Sequence, residues 1–291
     1  MNKHAYLSFL APPFPYFVEG NLTQYNIGDL HPNRRNLEYF DIIMVKEGTL
    51  FLGEENHTWS LTPGEVLILE PNKHHYPVHA CEEQTSFYWL HFHTKNEWRE
   101  QTQSLEIESE TNVPRLHFYS DYYTIHLPKW QTFPDSEELF SKMEFLLRST
   151  TRPRSLSFWE TQQNFMEILQ FIEQRNAYHD SGIRLAELVE IYIKQNFRET
   201  ITNQTLSKHF HVHENYLARS MKKVFQCTPL QYLTKYRLNQ ARRLLLKTDS
   251  PLTQISDESG FTDYKYFSSC FRKEVGLSPS QFRKRYRHIE D

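Results

Sequence analysis

Apolar positions along this chain change their rhythm twice. In the first hundred residues they come in short runs: Tyr39 to Val45, Thr49 to Leu52, Thr58 to Leu61, Glu65 to Leu69 and Ser86 to Phe92. Gly48, Gly53, Pro63-Gly64 and Pro71-Asn72 separate them. Short runs rich in β-branched and aromatic residues, recurring about every ten positions between turn formers, predict the successive strands of a small barrel or jelly roll. Ahead of them, Phe9 to Phe17 is aromatic but broken by Pro12, Pro13 and Pro15, and reads as an arm that either closes over the barrel mouth or lies disordered. From Asp135 the spacing becomes three and four. Leu139, Phe140, Met143, Leu146 and Leu147 form one stripe, and after Arg152-Pro153 so do Trp159, Phe165, Met166, Leu169 and Ile172. That is the period of two amphipathic helices, apolar enough either to pack on the barrel or to pair two subunits. Residues 178–182 are polar, end in Gly182 and read as a linker.

The third rhythm is a duplication. Tyr216-Leu217, Lys222-Lys223 and Thr228-Pro229-x-Gln231-Tyr232 recur fifty residues later as Tyr266-Phe267, Arg272-Lys273 and Ser278-Pro279-x-Gln281-Phe282. Thr228 and Ser278 are suited to cap a helix, with proline at the first helical position, where no N–H is needed, and glutamine closing a capping box. Upstream of each basic pair lies a short apolar face and a break. Leu206 and Phe210 precede His211-Val212-His213. Leu252, Ile255 and Ser259 precede Gly260, which suits a left-handed residue after a helix end, and Thr262 or Asp263 caps the next helix. A short helix, a tight turn and a second helix bearing Arg or Lys is the order of a helix-turn-helix. Pro229 to Lys247 joins the two copies as a helix of about 28 Å, with Leu230, Leu233, Leu238, Ala241, Leu244 and Leu245 on its apolar stripe.

The segments Val212-x-x-x-Tyr216-Leu217-x-Arg219-x-x-Lys222-Lys223 and Ile255-x-x-x-x-Gly260-Phe261-x-Asp263-x-x-Tyr266-Phe267-x-x-x-Phe271-Arg272-Lys273-x-x-Gly276-x-Ser278-Pro279-x-x-Phe282-Arg283 resemble the DNA-binding domain of the AraC/XylS family of bacterial transcription regulators. Gln226 departs from the glycine frequent at the end of the first recognition helix, and Ser269 from a frequent arginine. Pro63-Gly64-Glu65-Val66, Pro71 and His74-His75 resemble the cupin-type sensor of many family members. The resemblance implies an α+β multidomain chain: a cupin-like barrel with its arm over 1–135, a helical dimerisation or packing region over 136–177, and an all-α domain over 183–291 with two helix-turn-helix units on a long helix. It also implies a sequence-specific regulator, expected to activate transcription, with double-stranded DNA, a small-molecule effector, a second copy of the chain and RNA polymerase as partners.

Charge agrees with that division. Residues 183–291 carry 19 Lys and Arg against 11 Asp and Glu, whereas residues 1–182 carry 14 against 25, so the near-neutral total of −3 hides a basic end suited to phosphate. Cys81, Cys227 and Cys270 are far apart and in no metal-ligand spacing. No run reaches the roughly eighteen apolar residues of a membrane span, and a cytoplasmic protein is expected. His91 and His93 share a strand face, but a pair lacks the third protein ligand that a transition metal usually needs. With no nucleophile elbow and no phosphate-cradling glycine loop, no enzyme, metal or cofactor is expected. A metal-dependent cupin enzyme carrying a DNA-binding module is the alternative of another class.

The candidate DNA contacts are His213, Asn215, Arg219 and Lys222 in the first unit, and Asp263, Tyr264, Lys265, Ser268 and Arg272 in the second. Arg219 suits guanine, and Asn215 suits adenine or phosphate. Tyr216, Leu217, Phe267 and Phe271 read as core. Arg34, Arg35, Tyr76, Phe87 and Trp89 are the candidate effector contacts. Aromatic faces take the C–H surfaces of a sugar ring while Arg and His bond its hydroxyls, so a carbohydrate is the first expectation. A non-sugar effector, or control by a partner protein, is the alternative within the class.

Overall fold

In the computed structural model, which describes residues 5–102, 107, 123–177 and 181–286, the short apolar runs form strands. They are β1 (Tyr6–Ala11), β2 (Tyr16–Tyr25), β3 (Phe40–Glu47), β4 (Leu50–Glu54), β5 (His57–Leu61), β6 (Glu65–Leu69), β7 (His75–Pro77), β8 (Thr85–His93), β9 (Trp98–Gln101), β10 (Tyr123–Pro128) and β11 (Trp130–Thr132). The central sheet runs β11-β6-β3-β8-β2, flanked by sheets β10-β1-β9 and β5-β4-β7, with every named pairing antiparallel. From Ile42 to Val45, β3 is apolar without alternation because both of its faces are covered. Phe40, Ile42 and Met44 pack with β1, β10 and the following helices, and Ile43 and Val45 with β4 and β5.

The N-terminal arm is neither lid nor disordered segment. β1 is the middle strand of its sheet, and Leu7 and Phe9 are fully buried in the main core. The prolines that break the apolar run fall in the connection between β1 and β2, where no ladder hydrogen bond is needed.

α1 (Glu137–Thr150) and α2 (Arg154–Ala177) bury Leu139, Met143, Leu146, Phe165, Ile168, Leu169 and Ile172 in that same core. Trp159, read on the same apolar stripe, is 78% exposed and takes no part in that core. The first turns of α2 extend past the core, and Leu156 and Phe158 are exposed beside it.

A buried ionic knot closes the β unit. Lys129, between β10 and β11, bonds Glu54 on β4 and Glu70 at the end of β6, the latter at 2.7 Å. Lys73 adds a 2.7 Å bond to Glu70 and His75 lies 3.4 Å from Glu54. Burial would raise the Glu54 pKa, but the His75 hydrogen bond and the Lys129 charge outweigh it and hold the carboxyl down at about 2.

The described residues up to Ala177 make one unit and those from Ser181 a second. Ser181 and Gly182, read from the sequence as linker, already belong to α3 (Ser181–Asn196), and residues 178–180 lie outside the described residues. There follow α4 (Asn203–Phe210), α5 (Glu214–Phe225), α6 (Pro229–Lys247), α7 (Leu252–Glu258), α8 (Tyr264–Val275) and α9 (Pro279–Tyr286). α6 has the bounds that its capping signals predict. Thr228 Oγ1 accepts from the Gln231 N–H while the Gln231 side chain accepts from the Thr228 N–H, and Ser278 and Gln281 repeat the box at α9.

The duplication gives two cores. Leu185, Val189, Ile193, Leu206, Leu217 and Met221 close on Leu233 near the start of α6. Ile255, Phe261, Phe267, Phe271 and Phe282 close on Leu238, Ala241 and Leu245 further along it. Leu230, expected on the stripe, is exposed, because the side of the first turn that meets the core is the one carrying Pro229 and Leu233.

Candidate nucleic-acid interface and effector cavity

Each recognition helix is aimed by its caps. α5 begins at His213, whose Nδ1 accepts the Asn215 N–H at 3.2 Å, and α8 begins at Asp263, whose carboxylate accepts the Tyr266 N–H at 2.6 Å. Two of the residues expected to touch DNA are therefore engaged as helix caps, fifty positions apart. In each the side-chain acceptor that fits a polar contact, an imidazole nitrogen at His213 and a carboxylate at Asp263, is used first by the helix start. Both helices end in a left-handed residue at matching positions, Gln226 at φ 55° and Gly276 at φ 76°. The first helix thus terminates where the glycine pattern puts the end, although glutamine has no such preference.

Between these ends the buried and exposed faces separate. Leu217, Met221, Phe267, Phe271 and Val275 are buried. Asn215, Arg219, Lys222 and Gln226 form an exposed stripe on α5, and Lys265, Ser269, Arg272 and Gly276 an equivalent one on α8. Ser268 is half-buried and matches Ala218 by the fifty-residue offset, so the exposed serine on this face is Ser269, which the sequence reading set aside. Tyr264 is exposed in the first turn of α8, beside Lys265.

The principal contacts of α5 are with α3, α4 and α6, and those of α8 with α6, α7 and α9, so neither recognition helix hides its cationic stripe against the other. Lys and Arg on the exposed faces of both helices supply what a duplex asks for, point charges for phosphate and a fork for guanine edges.

In the β unit, a cavity of about 410 Å³ lies against the central sheet. Phe87, Trp89 and His91 reach it from alternate positions of β8, Asp41 from β3, Glu19, Thr23 and Tyr25 from β2, and His31, Arg34 and Tyr39 from the connection between β2 and β3. Of the five expected effector contacts, Arg34, Phe87 and Trp89 line it. Arg35 does not, because Arg34 forms a bridge with His75 and the alternation of extended backbone turns Arg35 the other way, into solvent. Tyr76 does not either. Its ring covers Gly53, leaving no room for a Cβ there, and its hydroxyl donates to the Glu55 carbonyl at 3.1 Å.

The polar groups of the cavity were missed, and alternation from Trp89 and from Ile43 was the signal that could have found His91 and Asp41. His91 Nδ1 lies 3.0 Å from Glu19 and its Nε2 3.5 Å from Asp41 Oδ2, under the Tyr39 ring at 3.9 Å between centroids. Burial alone would lower the His91 pKa, but the two carboxylates more than offset it and raise it. For His31 burial wins over the Asp41 charge, and the imidazole falls to about 4, neutral at pH 7. Asp41 Oδ1 and His31 Nδ1 are buried with no hydrogen-bond partner. Among the described residues no group of three or more His, Cys, Asp or Glu side chains is placed to hold a metal ion, and no described helix is long and apolar enough to cross a membrane.

Residues 206–285 match the family model described as "Helix-turn-helix domain". An uncharacterized HTH-type transcriptional regulator of Bacillus subtilis, YisR, is 30% identical over 279 residues, spanning 95% of this chain and 96% of that protein. The melibiose operon regulatory protein of Escherichia coli is 36% identical over 93 residues, about a third of either chain. Among solved structures, the C-terminal domain of AraT, a response regulator from Geobacillus stearothermophilus, is 30% identical with a TM-score of 0.35, covering 36% of this chain and 88% of that one. With a relative aligned along nearly its whole length and a helix-turn-helix match across both α5 and α8, this chain belongs to the AraC/XylS family of DNA-binding transcription regulators.

Proposed function

We propose that this regulator is an activator that lays α5 and α8 into successive major grooves and senses a small, uncharged, hydroxyl-bearing effector, in the first place a carbohydrate, in the cavity of its β unit. Arg219, Lys222, Lys265 and Arg272 are the principal cationic contacts, with Asn215, Tyr264 and Ser269 beside them. His213 and Asp263 contribute mainly by holding the helix starts.

The observation that carries the effector reading is the pair of unpartnered buried polar atoms, Asp41 Oδ1 and His31 Nδ1, on a cavity that also presents the Trp89 face. A buried carboxylate oxygen without a donor costs about 1–3 kcal/mol or more, which a ligand hydroxyl recovers on binding. Glu19 and Asp41 are offset by Arg34 and by His91, whose affinity for a proton the two carboxylates raise, so the site favours a neutral ligand. The melibiose operon regulatory protein, similar over 93 residues, is itself named for a sugar. A thermal-shift screen of the full chain against neutral mono- and disaccharides, uronic acids and sugar phosphates tests this. We expect at least one neutral sugar at 100 times its Kd to add about 2.7 kcal/mol of stability, and the effect to be lost in Asp41→Asn. A screen in which only anionic ligands, or none, shift the melting temperature sinks the sugar reading and leaves a non-sugar effector or a partner protein.

Effector binding regulates only if it favours one arrangement of the chain over another. The second copy is the natural partner in such a change, in the cytoplasm where promoter and RNA polymerase meet. Leu156, Phe158 and Trp159, exposed together at the start of α2, are apolar surface of the kind that a dimer covers. Trp159→Glu is expected to turn a dimer into a monomer by light scattering. An unchanged mass would move the interface elsewhere.

A further inference from the structure

Two hydrophobic cores on one helix leave a mechanical question. Leu233 serves the first core, and Leu238, Ala241 and Leu245 serve the second, so side-chain burial by itself fixes each unit to its own stretch of α6 and not to the other unit. Arg237 lies between those stretches. Its Nε donates to the Phe197 carbonyl at 2.6 Å and its Nη2 to the Glu199 carbonyl at 2.7 Å, gripping the backbone that joins α3 to α4 in the first unit. Its guanidinium also lies over the Phe261 ring, at 5.9 Å from the centroid, in the turn of the second unit. The same two segments meet directly. Arg198 Nε donates to the Glu258 carbonyl at 2.9 Å, and a Cβ on Gly260 would come within 2.6 Å of the Phe197 carbonyl. Tyr236 adds an edge-on contact to the Phe197 ring at 5.3 Å.

We infer that Arg237, supported by Arg198, is a positioning residue that locks the two helix-turn-helix units at one separation and one rotation about α6, and so makes the spacing between the two grooves part of what the protein recognises. A planar fork bonded to two carbonyls of one unit and stacked on an aromatic of the other resists both twist and slide, where an ammonium would hold one point only. On a duplex each inserted base pair displaces the second groove by about 3.4 Å and turns it by about 34°. A locked pair of recognition helices cannot follow that displacement, and a hinged pair follows it in part. The inference rests on the two-groove reading above.

The probe is a duplex enriched from a random library by the unaltered full-length protein, with derivatives in which one or two base pairs are inserted or removed between the two protected grooves. The unaltered chain is expected to lose at least 30-fold in affinity for a change of one base pair. Arg237→Met is expected to bind the enriched duplex about tenfold more weakly, because the units must be ordered on binding. Its penalty for a one-base-pair change is expected to shrink to threefold or less. Arg198→Met, at an exposed position, is expected to relax spacing in the same direction and carries the test if Arg237→Met fails to fold by circular dichroism. Arg237→Lys is expected to lie nearer Met than Arg. A spacing profile in Arg237→Met and Arg198→Met that runs parallel to that of the unaltered chain, whatever the overall loss, overturns the lock. Protection of a single groove by the unaltered protein overturns the two-groove reading instead.

Discussion

Replacing Arg219, Lys222, Lys265 and Arg272 together by alanine is expected to weaken binding to the enriched duplex by about 10³- to 10⁵-fold, roughly 4–7 kcal/mol. All four are exposed on the recognition helices, and none contributes to either core, so the melting temperature is expected to move by less than a degree or two. The loss has two components that salt separates. Each phosphate contact removed lowers the slope of log K against log salt by about 0.9, whereas a base contact removed lowers affinity at every salt concentration. Arg219→Ala alone is expected to cost about 1–3 kcal/mol on the cognate sequence and to relax the choice of one base pair. An equal loss on every sequence would make Arg219 a phosphate contact. Retention of affinity within tenfold in the fourfold variant, measured by fluorescence anisotropy, would move the interface off these two helices.

Lys129→Met is expected to destabilise the β unit by about 3–5 kcal/mol in denaturant unfolding. The ammonium is buried between Glu54 and Glu70, both nearly inaccessible, and without it two carboxylates share a dry site with the half-exposed Lys73 and the His75 imidazole left to answer them. The cost comes from the stranded charge and not from lost packing, so adding Glu54→Gln and Glu70→Gln to Lys129→Met is expected to recover most of it. Failure of that rescue would show that Lys129 acts through shape. The same knot sets an acid limit. Glu54 titrates at about 2 in the folded chain against 4.5 ordinarily, so its contribution of about 3 kcal/mol is present above pH 4.5 and is lost as the pH falls from 4.5 to 2. With Lys129 gone the folded value rises, and acid unfolding is expected to begin at a higher pH.

Where a signal is local, it was legible along the chain. The capping boxes at Thr228 and Ser278, the glycine stop at Gly276 and the uninterrupted helix formers from Pro229 to Lys247 each act within a turn or two, and their elements stand where the pattern puts them. The runs that became β3, β4, β5, β6 and β8 announced themselves by β-branched and aromatic residues between turn formers. β1, β2, β9, β10 and β11 did not. A strand that completes a sheet is stabilised by partners far away in the chain, as β1 is by β10, more than a hundred residues on, and its own composition records little of that.

The sequence by itself determined that this is a two-part regulator: a repeat fifty residues long, with basic edges and matched caps, specifies tandem helix-turn-helix units whatever surrounds them. Only the tertiary structure decided which side chains share a site. Asp41, His31, Glu19 and His91 come from three strands and a connection, and they meet because β2 and β8 pair in one register, a long-range choice made by burying both faces of the central sheet. It decided likewise that Trp159 faces outward, since a helical period tells which residues share a face but not where along the helix the core ends. The grip of Arg237 on two carbonyls forty residues and fewer away is likewise invisible in one dimension, because any arginine on an α6-like helix reads as a surface charge until the backbone it grips is folded beside it.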